Sequence, residues 1–183
     1  MTHIILLIIV IIISGCGSDG SSRIDQKNVL VIGDSVCVGT EDNHSWPDRL
    51  QDIASYNVSS VCYGGITLAE YDVQSVLSDY ASSTSTVVLA LGINDIYQGY
   101  SVESIMTKYD EAIHTIMAEG LTPICFLYAE NGYQTSELNL AIEYKCASYG
   151  LSRIKSSTNI SDYIHLTDSG RQETANNAMK GIN

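Results

Sequence analysis

Four short stretches of this sequence carry residue types suited to acyl chemistry. Gly33-Asp34-Ser35 places a serine hydroxyl directly behind the β-rich run Asn28 to Gly33. That is a strand-to-helix turn, where a following helix N-terminus favours developing negative charge. Tyr63-Gly64-Gly65-Ile66-Thr67 supplies glycines through which a backbone N–H can come close to a ligand. Gly92-Ile93-Asn94-Asp95 supplies a side-chain amide able to donate to an oxyanion. Near the C-terminus Asp162 lies one turn before His165, close enough for its carboxylate to accept from the imidazole and fix its tautomer. Each stretch alone is ordinary: the glycine-rich pieces are common turn composition, Asn94 could cap a helix, and Asp-x-x-His is often a surface ion pair. Their order is less ordinary, because each closes a separate strand-like run or precedes the last helical one. Among the other histidines His3 falls in an apolar leader and His114 in a helical stretch, off its apolar face. His44, in the loop after the serine, is the one rival base.

The elements that must position these residues alternate short β-rich runs with longer helical ones, the pattern of βαβ units and a parallel sheet. Five strands are expected, at Asn28 to Gly33, Tyr56 to Cys62, Thr86 to Gly92, Thr122 to Tyr128 and, most weakly, Leu151 to Lys155. The third is almost continuously apolar, as a central strand covered on both faces should be. Helices are expected at Trp46 to Ala54, Thr67 to Tyr80, Ser101 to Glu119, Ser136 to Tyr149 and Thr167 to Lys180, with Gly120 as a C-terminal cap and Thr167 as an N-cap. The fold class is therefore α/β: one doubly wound, flavodoxin-like three-layer α/β/α domain over residues 28–183, with chemistry at the carboxyl ends of the strands.

Composition narrows the function. Asp and Glu number 21 against 9 Lys and Arg, a net charge of −12, so no basic footprint is available for nucleic acid. Ile4 to Ile13 is an unbroken apolar run, too short to span a bilayer and of the length of a signal-peptide core. The following Ile13-Ser14-Gly15-Cys16 resembles the lipobox of bacterial lipoproteins, which implies a signal peptide over residues 1–15 and a lipid anchor on Cys16. Residues 16–27 then read as anchor and flexible Gly/Ser linker. The expected location is the bacterial cell envelope, at the outer membrane in a Gram-negative source because Gly17 stands where aspartate would signal inner-membrane retention. Four cysteines remain, Cys37, Cys62, Cys125 and Cys146, which allow three pairings in an oxidising compartment or none at all.

Taken together, the four stretches resemble the blocks of the SGNH hydrolases, also called the GDSL esterase/lipase family, over essentially all of the chain after the linker. Gly33-Asp34-Ser35 matches the first block, with Val36 where leucine is common; Gly65-x-Thr67 matches the second, Gly92-x-Asn94-Asp95 the third and Asp162-x-x-His165 the last. Trp46 and Leu50 sit where the family has an aromatic and a leucine on its first helix. The resemblance implies a Ser35-His165-Asp162 triad working through an acyl-enzyme. Its oxyanion hole would comprise the N–H groups of Ser35 and Gly65 and the Asn94 amide, with Gly64 as an alternative to Gly65. No metal or organic cofactor is implied, and a monomer is expected.

Short βα connections favour a small acyl group, acetyl above all, on a carbohydrate or small alcohol. Tyr63, Tyr97, Tyr100, Tyr128, Tyr133 and Tyr163 fall at the expected catalytic edge, where their rings could pack on sugars. The alternatives are a lysophospholipase or thioesterase acting on longer chains, and a surface binding module that kept the fold without turnover.

Overall fold

The apolar run from Thr86 forms the middle of the sheet. In the computed structural model, which describes residues 27–39, 44–130 and 133–183, five parallel strands pair in the order β2-β1-β3-β4-β5. They are β1 (Asn28–Gly33), β2 (Asn57–Cys62), β3 (Thr86–Ala90), β4 (Thr122–Leu127) and β5 (Arg153–Lys155). Every residue of β3 is buried, as its composition requires. The leader, Cys16 and the linker lie outside the described residues.

Among the described residues six α-helices flank the sheet: α1 (Trp46–Ile53), α2 (Val73–Tyr80), α3 (Ile93–Tyr97), α4 (Val102–Ala118), α5 (Tyr133–Ser148) and α6 (Asp168–Ile182). On one side α1 packs against α6; on the other α4 packs against both α2 and α5, giving a three-layer α/β/α domain. Helix α1 starts at a closed capping box, Ser45 Oγ accepting from Asp48 N at 3.2 Å and Asp48 Oδ2 accepting from Ser45 N at 2.9 Å. It turns Trp46 and Leu50 fully inward, and Trp46 stacks on Phe126 of β4 with ring centroids 5.5 Å apart. Each fully buried apolar side chain of this kind contributes about 1.5–3 kcal/mol relative to exposure.

Among the element boundaries that differ from expectation, two do so for plain local reasons. The helix expected from Thr67 begins only at Val73. The Glu70 carboxylate accepts from both Thr67 N and Thr67 Oγ1, at 3.1 and 2.7 Å, closing a separate turn. Tyr71 then donates its hydroxyl to the carbonyl of Val61 at 2.6 Å, and Asp72 caps a fresh helix through Ser75 N. Conversely, β3 stops at Ala90 and a short helix, α3, follows Gly92, which takes φ +119°. The other caps are as read: Gly120 adopts φ +75° and donates to Met117 O, and Thr167 Oγ1 accepts from Gly170 N at 3.1 Å.

The cysteine pairing left open by sequence resolves into two disulfides. Cys37–Cys62 joins the turn after β1 to the end of β2 with Cα atoms 6.0 Å apart, and Cys125–Cys146 joins β4 to α5 at 6.5 Å. Closing loops of this size constrains the unfolded chain by about 3 kcal/mol each.

Candidate active site

Because β1 lies between β2 and β3, the chain leaves its carboxyl end at the switch point of the sheet, where a crevice forms. Ser35 opens a single 3-10 turn there, Ser35–Cys37. The turn is tightly held. Asp34 Oδ1 accepts from Val36 N at 3.0 Å, Asp34 N donates to Ala90 O on β3 at 3.1 Å, and Tyr63 N donates to Gly33 O at 3.0 Å. Gly33 must be glycine for reasons of space: a Cβ there would stand 2.5 Å from Cys37 Sγ and 2.8 Å from Ala90 O.

The C-terminal loop brings the base across from the other end of the sequence. Asp162 Oδ1 accepts from Ile164 N at 2.9 Å and His165 N at 2.8 Å, and Ser161 N donates to His165 O at 2.8 Å. The loop is thereby folded around the carboxylate, whose Oδ2 stands 2.7 Å from His165 Nδ1. His165 Nε2 in turn stands 3.0 Å from Ser35 Oγ, 130 residues away in the chain. The backbone bonds from Ile164 and His165, with the imidazole contact, lower the Asp162 carboxyl to about 2. An ionised carboxylate only accepts, so Nδ1 carries the hydrogen and the Nε2 lone pair faces the serine hydroxyl. That relay can remove the serine proton as the oxygen attacks a carbonyl carbon.

Residues expected to stabilise an oxyanion gather on the neighbouring turns. Gly65 adopts φ +77°, a conformation that favours glycine, and Gly64 forms part of the cleft wall beside Ser35 and His165. Asn94, in the first turn of α3, donates one Nδ2 hydrogen to Ile66 O at 2.9 Å, which fixes the amide against the glycine loop. Asp95 beside it accepts from Leu68 N at 2.8 Å and tightens the same junction. The cleft over Ser35 and His165 has a volume of about 500 Å³. His44 is exposed and contributes its carbonyl to Arg49 Nε; His114 pairs with the Tyr149 hydroxyl at 2.8 Å.

The tyrosines divide. Tyr63, Tyr97, Tyr100 and Tyr163 are exposed, as ligand-facing rings must be. Tyr128 is a correction: it is buried, and its hydroxyl donates to Asp34 Oδ2 at 2.9 Å beneath the nucleophile turn. The Tyr133 side chain lies outside the described residues. The Asp34–Tyr128 pair was missed because its partners are 94 residues apart and nothing local marks a turn aspartate as buried.

Burial raises the Asp34 carboxyl to about 7, against the bonds from Val36 N and Tyr128, with the Asp95 carboxylate pushing the same way and His165 opposing. The folded protein therefore holds this proton more tightly than the unfolded chain. Its contribution to stability is complete below about pH 4 and is lost as pH rises to about 7. Asparagine keeps the acceptor for Val36 N and never ionises. Asp34→Asn is expected to gain on the native chain between pH 4 and 8, by on the order of 4 kcal/mol. Urea unfolding at the two pH values checks this; an unchanged gap contradicts it.

No protein-family model and no curated protein matches the sequence. Solved structures do match. An acetyl xylan esterase, AlAXEase, superimposes with a TM-score of 0.73 at 15% identity, covering 85% of this chain and 100% of its own. A member of the lipolytic protein G-D-S-L family from Veillonella parvula matches with a TM-score of 0.69 at 16% identity, covering 84% and 97%. The chain has the G-D-S-L fold. The psychrotrophic esterase EstA from Pseudoalteromonas, in a structure inhibited by monoethylphosphonate, shares that fold at a TM-score of 0.68 and 15% identity, over 86% of this chain and 97% of its own. In this chain the G-D-S-L fold carries Ser35, His165 and Asp162 in one hydrogen-bonded row.

Proposed function

We propose that the chain is a serine carboxylic ester hydrolase that removes short acyl groups, acetyl above all, from carbohydrate or other small alcohols. The observation that carries this reading is the row from Asp162 Oδ2 to His165 Nδ1 at 2.7 Å and from His165 Nε2 to Ser35 Oγ at 3.0 Å. His165 takes the proton of Ser35 as Oγ attacks the ester carbonyl. It returns that proton to the leaving alcohol, and water then releases the acyl group by the same route. The N–H groups of Ser35 and Gly65 and the Asn94 amide hold the oxyanion, each donor contributing about 3 kcal/mol.

Short acyl groups on sugars are supported by the exposed rings of Tyr63, Tyr97, Tyr100 and Tyr163 and by the acetyl xylan esterase among the structural relatives. The reading includes export and anchoring through Cys16, supported by the apolar run before it and by two disulfides that suit an oxidising compartment.

The test is hydrolysis of p-nitrophenyl esters from acetate to palmitate. A steep fall in kcat/KM beyond butyrate is expected. A preference for long chains would move the assignment to a lysophospholipase or thioesterase, and absence of serine-dependent turnover on every ester would leave a binding module.

A further inference from the structure

The pairing of β1 with β2 ends just short of the reacting groups. The register runs as far as Gly33 beside Cys62, and Tyr63 N on Gly33 O at 3.0 Å is the next bond up. Beyond it the two chains part, one turning through Ser35 and the other through Gly64 and Gly65. Their spacing matters, because the attacking oxygen and the oxyanion donors must meet the same carbonyl group. Gly64 and Gly65 are exposed, and a Cβ on either would meet nothing within 4 Å, so packing does not set where their N–H groups stand.

The glycine loop is therefore placed by its ends. At the far end Asn94 Nδ2 donates to Ile66 O at 2.9 Å. At the near end the Tyr63 ring leans on Tyr71 with centroids 5.9 Å apart, and Cys62 is bonded to Cys37, two residues after Ser35. Cys37 is a firm anchor. It is 1% exposed, its N–H donates to Asp34 O at 3.2 Å, and its sulfur lies so close to β1 that a Cβ on Gly33 would stand 2.5 Å from it. The bridge thus ties the oxyanion loop to the nucleophile turn from the buried side. The second bridge, Cys125–Cys146, closes a loop of similar length, a separation of 21 residues against 25. It joins β4 to α5, elements that carry no residue of the triad or of the oxyanion hole. Loops of similar length constrain the unfolded chain alike, so comparing the two bridges separates positioning from stability.

We infer that the Cys37–Cys62 bridge is a positioning device for the reaction, holding the Gly65 donor against Ser35 Oγ, so that opening it lowers turnover without lowering affinity for the ester. This rests on the esterase reading of the same cleft. The test compares kcat and KM on p-nitrophenyl acetate for the native chain, Cys37→Ala/Cys62→Ala and Cys125→Ala/Cys146→Ala, at a temperature where circular dichroism shows each folded. Oxyanion contacts act in the transition state, so the first pair is expected to lower kcat by about tenfold or more with KM within about threefold. The second pair should leave kcat within about twofold of native. Should the first pair not fold, the native chain is treated with dithiothreitol and its thiols are trapped by iodoacetamide and located by mass spectrometry. The reagent passes two electrons and two protons to the bridge, leaving two thiols, and closes to its own cyclic disulfide. Cys62 is partly exposed whereas Cys125 and Cys146 are fully buried, so this bridge opens first. A rate that falls as Cys37 and Cys62 become alkylatable, and returns on reoxidation, supports the inference. A rate unchanged when both are alkylatable overturns it. So does a kcat near native in the first pair, a change in KM alone, or an equal loss of kcat in both pairs, and each of these leaves the esterase reading standing. Absence of hydrolysis by the native chain overturns both.

Discussion

Replacing Ser35 by alanine is expected to lower hydrolysis of p-nitrophenyl acetate by about 10⁴- to 10⁶-fold, because the attacking atom is gone and only the binding and oxyanion groups remain. The fold should be untouched. Among the described residues the hydroxyl makes a single hydrogen bond, to His165 Nε2. The turn that carries it is secured elsewhere: Val36 N on Asp34 Oδ1, Cys37 N on Asp34 O at 3.2 Å, and the Cys37–Cys62 bridge. Steady-state rates beside a thermal melt separate the two effects. A variant that melts like the native chain and still turns over ester within tenfold of its rate would remove Ser35 from the mechanism.

Asp162→Asn is expected to cost about 10³-fold or more in kcat with little change in stability. The asparagine oxygen can keep the two backbone bonds from Ile164 N and His165 N that shape the loop. Its amide nitrogen then faces His165 Nδ1, where it donates. Nδ1 must become the acceptor, the ring hydrogen moves to Nε2, and the base no longer offers a lone pair to Ser35. Half of the Asp162 side chain is exposed, so water partly replaces it and the loss stays below that of the nucleophile itself. The native carboxyl, held down to about 2, contributes fully above about pH 4 and loses its effect only as pH falls through 2. The acid limb of the rate profile is therefore not set by Asp162. Rates of the native chain and the asparagine variant from pH 4 to 9 check both statements.

What sequence could show and what it could not follow the reach of the interactions. The strand ends and the caps at Gly120 and Thr167 are decided within a turn of chain, and they stand within a residue or two of where the sequence puts them. Ser35, Asn94 and His165 were legible because each closes or follows a local element whose period is plain. The break at Thr67 was not, since it depends on Tyr71 reaching back to the Val61 carbonyl on β2. The disulfides and Asp34 needed the sheet register. Only when Gly33 stands beside Cys62 and Ala90 does Cys37 meet Cys62, while Asp34 lies under Tyr128.

We propose that Ser35 is a nucleophile activated by His165. The most direct test is to treat the folded chain with a fluorophosphonate and locate the adduct by peptide mass spectrometry. One adduct is expected, on Ser35, formed in the native chain and lost in His165→Ala. An adduct on another residue, or labelling of Ser35 that is equally fast without His165, would contradict it.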